Sequence, residues 1–282
     1  MSALLLILSV GSGITQNCIF NVAGKKILKT NDDIYKFNML VYTVCILAFG
    51  ILTLGGSISL YTVLLGLLFG VVTAMSNLYK MLALSKGPMH LTLLITTSSM
   101  IIPTLSGVFF GEKISLLKLL CVFVLIYFIY LSLGKVKGEK VNKSWVLCCA
   151  LAFVLIGAIG VIQKVHQSSA YRTELSGFLF ISFIVSLIIS YIRVKEKKHF
   201  KIEGKQIILA CICGVCTFAM NYINLKLSGV LPSQLFFPLV NGSTIILSSV
   251  MSVVVFKEHL SKKQAVGLIG GITSLVAICI VP

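Results

Sequence analysis

Long apolar runs, separated by short polar gaps, follow one another along the whole chain. Ten such runs can be marked, each about 20 residues long, which is the length that an α-helix needs to cross a bilayer. Because the runs are continuous rather than alternating, they exclude the strands of a membrane β-barrel. The short gaps make neighbouring helices antiparallel hairpins. The runs cover residues 3–24, 36–54, 60–85, 88–110, 115–134, 146–167, 175–194, 206–228, 232–256 and 261–281.

The composition agrees with this pattern, since 57% of the 282 residues are hydrophobic and only 11% are charged. Soluble proteins carry roughly 25% charged residues. The formal net charge is +16, from 24 Lys and Arg against 8 Asp and Glu. A nucleic-acid-binding protein would cluster its Lys and Arg residues on a water-exposed surface. Here the basic residues occupy the gaps between apolar runs. We therefore expect a lipid bilayer as partner and no nucleic acid. Residues 3–24 are interpreted as a retained helix rather than a cleaved signal peptide.

The basic residues also indicate an orientation. The gaps after runs 1, 3, 5, 7 and 9 hold most of them, for example Lys25 and Lys26, Lys135, and Lys197 and Lys198. The positive-inside rule assigns this side to the cytoplasm. The sequence thus predicts a multi-pass protein of the cell membrane with both termini outside.

Two stretches of the chain resemble each other. Residues 70–77 and 214–221 share a Gly, a Thr and a final Asn at the same spacing. A Pro follows the final Asn by 11 positions in both stretches, at Pro88 and Pro232. A second shared motif lies further on, with Phe110, Glu112 and Ser115 in the first copy and Phe256, Glu258 and Ser261 in the second.

This similarity divides the chain into two repeats, residues 1–140 and 141–282, with five predicted helices each. Since five is odd, the second repeat must enter the membrane inverted relative to the first. Inverted repeats are typical of transporters that work by alternating access. The predicted fold is therefore an all-α integral membrane protein, with ten transmembrane helices as two inverted five-helix repeats around a central cavity.

The segment from Phe256 to Gly271 resembles the final hairpin of the ten-helix EamA-type branch of the drug/metabolite transporter superfamily. The resemblance extends over the whole chain through its five-plus-five organisation, and it carries no information about the substrate. It implies a central cavity lined by the first four helices of each repeat. The Glu residues of the family motif correspond to Glu112 and Glu258, which we interpret as helix-capping residues because an acid suits a helix N-terminus.

Polar side chains inside the apolar runs are costly in hydrocarbon, so they should face a cavity or another helix. Ser and Thr can bond carbonyls of their own helix, whereas the amides of Asn and Gln need several partners. Each amide could contact substrate or join two helices, and the Tyr residues could form an aromatic wall or pack in the core. The predicted substrate-binding residues are Gln16, Asn17, Asn77, Tyr79, Thr96, Gln163, Asn221, Tyr222 and Asn241.

The prolines and the motif glutamates make up a predicted structural or gating set. Pro88 and Pro232 stand where runs 4 and 9 begin, a position that suits Pro. Pro103 and Pro238 lie inside those runs and should kink or break the helices.

No Asp or Glu falls in the middle of any run. Proton or Na⁺ coupling through a buried carboxylate, including the antiport of cationic drugs for protons, is therefore not expected. A neutral, amide-rich lining favours a small neutral or zwitterionic solute such as an amino acid, an amine or a nucleoside. Lys80, Lys164 and Lys226 are expected to extend toward the membrane surface. If one of them faced the cavity instead, an anionic substrate would become plausible.

The function that this pattern favours is secondary transport by uniport, exchange or export, in a monomer or a homodimer. The alternative is a membrane enzyme acting on a lipid-linked or small substrate, which would need His and acidic residues together near one membrane face. A non-transporting scaffold is a third class. No cofactor or metal is expected, because the cysteines lie in apolar runs without nearby His or acids. The four His residues are scattered, at His90, His166, His199 and His259.

Overall fold

The computed structural model describes residues 2–111, 116–132, 143–195, 204–257 and 261–281. These residues form helices joined by short connections, and no strand occurs among them. The helices are α1 (Ser2–Val22), α2 (Asn31–Thr53), α3 (Leu60–Lys86), α4 (Met89–Thr97), α5 (Ile101–Ser106), α6 (Leu116–Ser132), α7 (Lys143–Gln167), α8 (Leu175–Arg193), α9 (Gly204–Ser228), α10 (Ser233–Val254) and α11 (Lys262–Ile280). A π-helical turn, Ala23–Ile27, extends α1, and 3-10 turns at Ser98–Met100 and Gly107–Phe110 follow α4 and α5.

Each predicted apolar run contains a helix, with α4 and α5 together forming the fourth. Seven of the described helical segments are long and apolar enough to cross a membrane: Leu4–Ile27, Asn31–Thr53, Leu60–Lys86, Met89–Phe110, Lys143–Gln167, Leu175–Arg193 and Gly204–Ser228. The three remaining runs hold α6, α10 and α11. The prediction of an all-α membrane protein is thus confirmed at the level of helical class and multiple apolar spans.

The outer surface is apolar and the interior is partly polar, which is the reverse of a soluble protein. Ile51 and Ile192 are 70% and 66% exposed, whereas Gln16 and Asn17 are 3% and 2% exposed. A bilayer core offers no hydrogen bonds to side chains on the outside, so polar groups are stable only between helices or at a water-filled space. This distribution directs the polar residues of the apolar runs toward the interior.

The helices pack in a pattern that joins the two predicted repeats. α2 packs against α8 and α9, and α3 packs against α7 and α8. α1 contacts α9 and α10, α4 contacts α7 and α10, and α6 packs against α11. Between α2, α3 and α8, the ring of Phe49 stacks on Phe183 at 5.7 Å and Phe69 contacts Phe178 at 4.9 Å. All of these contacts join helices that are far apart in the sequence, so the arrangement depends on tertiary packing.

Local signals explain where several helices begin. Thr30 and Asp33 form a capping box at the start of α2, in which the Thr30 hydroxyl accepts from the Asp33 amide at 3.2 Å. Pro88 and Pro232 each stand one position before a helix, α4 and α10 respectively. A Pro is tolerated there because the first residues of a helix have no intrahelical partner for their N–H groups.

The two internal prolines have different outcomes. The helical run that contains Pro103 is interrupted by the 3-10 turn Ser98–Met100, near the carbonyl that the missing N–H of Pro103 would otherwise bind. Pro238 lies inside α10, which continues as an α-helix from Ser233 to Val254, so the predicted break is absent. A single lost hydrogen bond can be accommodated within a membrane helix. Glu112 and Glu258 lie outside the described residues.

Candidate functional site

A cavity of about 150 Å³ lies between α1, α3, α4–α5, α7, α9 and α10. These are the first, third and fourth helices of each predicted repeat, where the sequence places most of the polar side chains of the apolar runs. Of the nine predicted substrate-binding residues, seven border this central cavity: Gln16, Asn17, Asn77, Thr96, Gln163, Asn221 and Asn241. That these residues bind substrate stays a prediction.

Tyr79 and Tyr222 do not border the central cavity. Tyr79 packs against the cluster around Trp145, and the ring of Tyr222 stacks on Phe218 with centroids 6.2 Å apart. In an α-helix each residue turns the side-chain direction by about 100°. Tyr79 therefore points away from the face of Asn77, and Tyr222 lies to the side of its neighbour on α9. The interpretation of these two residues as cavity wall is corrected accordingly.

Two amide nitrogens of the lining bond to carbonyls of their own helices and so hold their side chains in place. Asn221 Nδ2 donates to the carbonyl of Thr217 at 2.9 Å, and Asn241 Nδ2 donates to the carbonyl of Phe237 at 2.8 Å. A carbonyl can only accept, so these contacts fix which end of each amide is the nitrogen. The amide oxygens of Asn221 and Asn241 therefore remain available as acceptors.

The amide nitrogen of Gln16 is also held by a hydrogen bond, in this case between two helices, α1 and α9. Its Nε2 donates to Thr217 Oγ1 at 2.7 Å, and that hydroxyl in turn donates to the carbonyl of Cys213 at 2.7 Å. Because the hydroxyl hydrogen is committed to Cys213, the oxygen of Thr217 must accept from Gln16. Asn77 Nδ2 donates to the hydroxyl of Tyr42 at 3.1 Å. The lining therefore contains several amide oxygens that can accept hydrogen bonds from a solute.

Some lining groups have no partner among the described residues. The Oδ1 atom of Asn17 and the Oγ1 atom of Thr73 are buried without a hydrogen bond. Gln163 makes no hydrogen bond to a described side chain or backbone group, although it is 4% exposed and borders the cavity. Buried polar groups are rarely left unsatisfied in native proteins. Unpaired groups around one cavity indicate a space suited to water or a polar solute.

Lys80 corrects an expectation from the sequence. Instead of extending to the membrane surface, it borders the central cavity, with its Nζ atom 5.8 Å from the ring centroid of Phe20. Thr73, Ser76 and Asn77 line the cavity from the same helix, at spacings of three and four residues. Continuing that stripe by three residues leads to Lys80, so helical periodicity was the signal that could have found it.

The same periodicity identifies other lining residues that the prediction omitted. Asn224 follows Asn221 by three positions on α9, and its Oδ1 accepts from the Ser9 hydroxyl of α1 at 2.5 Å. Thr244 follows Asn241 by three positions on α10 and also borders the cavity. Asn224 and Thr244 each lie about one helical turn beyond a residue that the sequence predicted to bind substrate, and on the same helix face.

A second, larger cavity of about 410 Å³ lies at the ends of α2, α7 and α9. Its lining includes Arg172, Lys226 and Tyr222. Lys164 stays close to the same end of the helices, where its Nζ donates to the carbonyl of Ser228 at 3.3 Å. Lys164 and Lys226 thus lie near helix ends, and this space resembles a vestibule more than an enclosed site; that their side chains extend to the membrane surface stays a prediction.

Near this end, Glu174 joins two connections between helices. Its Oε2 accepts from the backbone N–H of Ser59 at 2.9 Å and from the Ser59 hydroxyl at 2.8 Å. Desolvation alone would raise the pKa of Glu174, but hydrogen bonds from Thr62 and Ser59 favour the charged form, and the net effect is a lowered pKa. The carboxylate therefore fastens the α2–α3 connection to the start of α8.

The described residues contain no group of three or more His, Cys, Asp or Glu that could hold a metal ion. Two of the His residues are described, and both are buried. His166 stacks on Phe178 with ring centroids 4.4 Å apart, and His90 is 1% exposed. Neither of them borders the central cavity.

Comparison with known proteins gives the fold and no more. No family model matches the chain, and no curated protein matches it. Solved structures do match, and one of them superimposes with a TM-score of 0.66 at 14% sequence identity, covering 97% of this chain and 99% of its own. That structure is described only as "Crystal structure of protein". At this identity the likeness defines a shared fold over the full length of both chains.

Proposed function

We propose that this protein is a secondary transporter that moves a small neutral or zwitterionic polar solute across the cell membrane. The observation that carries the proposal is the central cavity. It lies inside an apolar-surfaced helical protein, and six helices contribute amide or hydroxyl groups to it. A pore-forming or scaffolding role would not require so many hydrogen-bonding groups around an enclosed space of this size.

The proposal includes ten membrane helices arranged as two inverted repeats, of the kind that the resemblance to EamA-type transporters implies. The packing pattern supports it, because contacts occur in equivalent pairs. α3 packs on α7 and α8, and the corresponding helix of the second repeat, α9, packs on α1 and α2. α2 with α8, α4 with α10 and α6 with α11 are each a helix packed on its own counterpart. A two-fold relation between the repeats would produce such pairs.

Alternating access would then be a rocking of the two repeats about the cavity. Close contacts at its wall fit such a motion. A Cβ on Gly160 of α7 would lie 2.7 Å from Pro103 Cγ and 3.0 Å from Phe237 Cε1. These contacts join α7 to α5 and α10 at the cavity, so a change in their packing would open or close it. We place the lysine-rich membrane face in the cytoplasm and both termini outside.

No described lining residue is an Asp or a Glu. The proposal therefore contains no step that couples transport to protons or Na⁺ through a carboxylate. The buried positions of His90 and His166 also favour transport over catalysis, since neither has access to the cavity.

The test is uptake of radiolabelled amino acids, amines and nucleosides into proteoliposomes that contain the purified protein, compared with empty liposomes. We expect at least one solute class to be transported, and Asn77→Ala and Asn221→Ala to reduce its uptake about tenfold or more with the fold intact. Absence of uptake for every solute under every gradient would refute the proposal.

Two control substitutions separate a role in binding from a role in structure. Tyr42→Phe removes the hydroxyl that Asn77 contacts at 3.1 Å, so a purely structural Asn77 would give the same loss in both variants. Tyr222→Phe changes the neighbour of Asn221 without touching the central cavity. Both controls are expected to retain most of the uptake.

A further inference from the structure

Lys80 is the only charged residue among the described residues that line the central cavity. It lies six residues before the end of α3, which corresponds to about 9 Å along the helix axis. A Lys side chain is long enough to reach a membrane surface from such a position. Here, however, the side chain borders the cavity, and its Nζ atom lies beside Phe20 of α1.

An ammonium group in this position needs a partner. The described residues give it one favourable contact, the face of the Phe20 ring at 5.8 Å, and no hydrogen bond or ion pair. A cation–π contact compensates only part of the cost of removing an ammonium group from water. An anion that enters the cavity would supply the missing hydrogen bonds and the missing charge.

We propose that Lys80 binds the carboxylate of the transported solute, an inference that rests on the transport function proposed above. A single cation matches a group with a single negative charge. Gln16, Asn221 and Asn241 border the same cavity, and because their nitrogens are held by Thr217 and Phe237, their amide oxygens are left as acceptors. These acceptors complement hydrogen-bond donors on the solute. The solute class is thus a small monocarboxylate that also carries an amino group, which makes it a zwitterion as in the proposed function, or a hydroxyl group, which would extend that function to a monoanion.

The internal repeat indicates how a bound solute would be oriented in the cavity. Lys80 lies three residues after Asn77, and Asn224 lies three residues after Asn221, so the two occupy equivalent positions of the two repeats. Both border the cavity, and Asn224 lies four residues before the end of α9. Of these two equivalent positions, only the one in the first repeat carries a charge. A bound carboxylate would point toward the end of α3, and the donor groups would point toward the amides.

The experiment uses purified full-length protein and pairs of solutes that differ only in the carboxylate: L-alanine with L-alaninamide, and L-lactate with L-lactamide. Binding is measured by thermal stabilisation and transport by counterflow in proteoliposomes. Glycerol 3-phosphate tests for a phosphate in place of the carboxylate, and uridine serves as a neutral solute. We expect a carboxylate of one pair to be preferred over its amide by about tenfold or more.

The variants are Lys80→Gln, Lys80→Arg and the control Lys226→Gln, which alters a Lys of the second cavity. We expect Lys80→Gln to abolish the preference for the carboxylate, Lys80→Arg to keep part of it, and Lys226→Gln to keep all of it. If Lys80→Gln does not fold, the carboxylate-to-amide ratio of the unaltered protein decides, and a ratio near one refutes the inference.

Other outcomes contradict the inference in distinguishable ways. Preferential binding of glycerol 3-phosphate would overturn the carboxylate assignment. Transport of uridine alone, equal in the unaltered protein and in Lys80→Gln, would overturn the role of Lys80 while leaving the transport function intact. Failure of every solute to cross would instead refute the proposed function itself, and carboxylate binding by thermal stabilisation would still report on Lys80.

Discussion

Gly70 allows α3 and α8 to approach closely, and its replacement by Ala should separate them. A Cβ at this position would overlap the backbone carbonyl of Ser182 and lie 2.7 Å from Val185 Cβ. Ordinary carbon–carbon contacts are about 3.5–4.0 Å. One of the overlapping atoms belongs to the backbone, so a change of rotamer cannot relieve the strain, and the helices must move apart by about 1 Å. That movement would also weaken the 2.8 Å hydrogen bond from the Ser186 hydroxyl to the Gly70 carbonyl.

We expect Gly70→Ala to lower the free energy of unfolding by about 1–3 kcal/mol, as overpacking of a close contact does. For domains of 150–250 residues each kcal/mol shifts Tm by about 2–4 °C. The Tm of the purified protein in detergent should therefore fall by about 2–12 °C.

Gly11→Ala is the matched control, because a Cβ on Gly11 would meet no atom within 4 Å. Both substitutions add one methyl group to a helix, and Ala is intrinsically the better helix former. We expect the control to leave Tm unchanged or slightly raised. Equal Tm values for the two variants would refute the assignment of Gly70 to a close helix contact.

Two further predictions concern single hydrogen bonds. Trp145 Nε1 donates to Thr92 Oγ1 at 2.9 Å, so Thr92→Val should leave a buried N–H without a partner and cost about 1–3 kcal/mol. The chain has one Trp, and its emission maximum should shift in this variant; unchanged emission and unchanged Tm would contradict the contact. Glu174→Gln weakens the link to Ser59 and should cost less than about 1 kcal/mol at neutral pH. Because folding lowers the pKa of Glu174, its contribution is complete above the unfolded pKa and disappears as the pH falls through the folded pKa. The Tm difference between this variant and the unaltered protein should therefore begin to shrink as the pH falls below about 4, the ordinary Glu range, and disappear below the folded pKa; a difference independent of pH would contradict it.

The position of the helices follows from the sequence because the solvent is a bilayer. A run of about 20 apolar residues can satisfy its backbone in hydrocarbon only as a helix, so each predicted run contains one. The same physics explains why Asn77 and Asn221 face the interior, since an amide is costly against lipid. The position of each helix and the burial of its amides can both be inferred from the sequence of that helix alone.

The assignment of lining residues was less complete, and the reason is helix rotation. Asn77 and Tyr79 are both polar residues of one apolar run, but they point in different directions about the helix axis. Tyr79 packs at Trp145 while Lys80 borders the cavity. Which face of α3 meets the cavity depends on the contacts of α3 with α7 and α8.

The sequence by itself determined that this protein is helical, that its helices are apolar on the outside, and that amides from both predicted repeats point inward. Only the tertiary structure decided which atoms Gln16 and Asn77 offer, because the partners of their nitrogens, Thr217 and Tyr42, lie on other helices. It also decided the position of Lys80, whose apolar stem would permit either the membrane surface or the cavity. The cavity carries a positive charge because the Lys80 side chain points into it rather than toward the membrane surface.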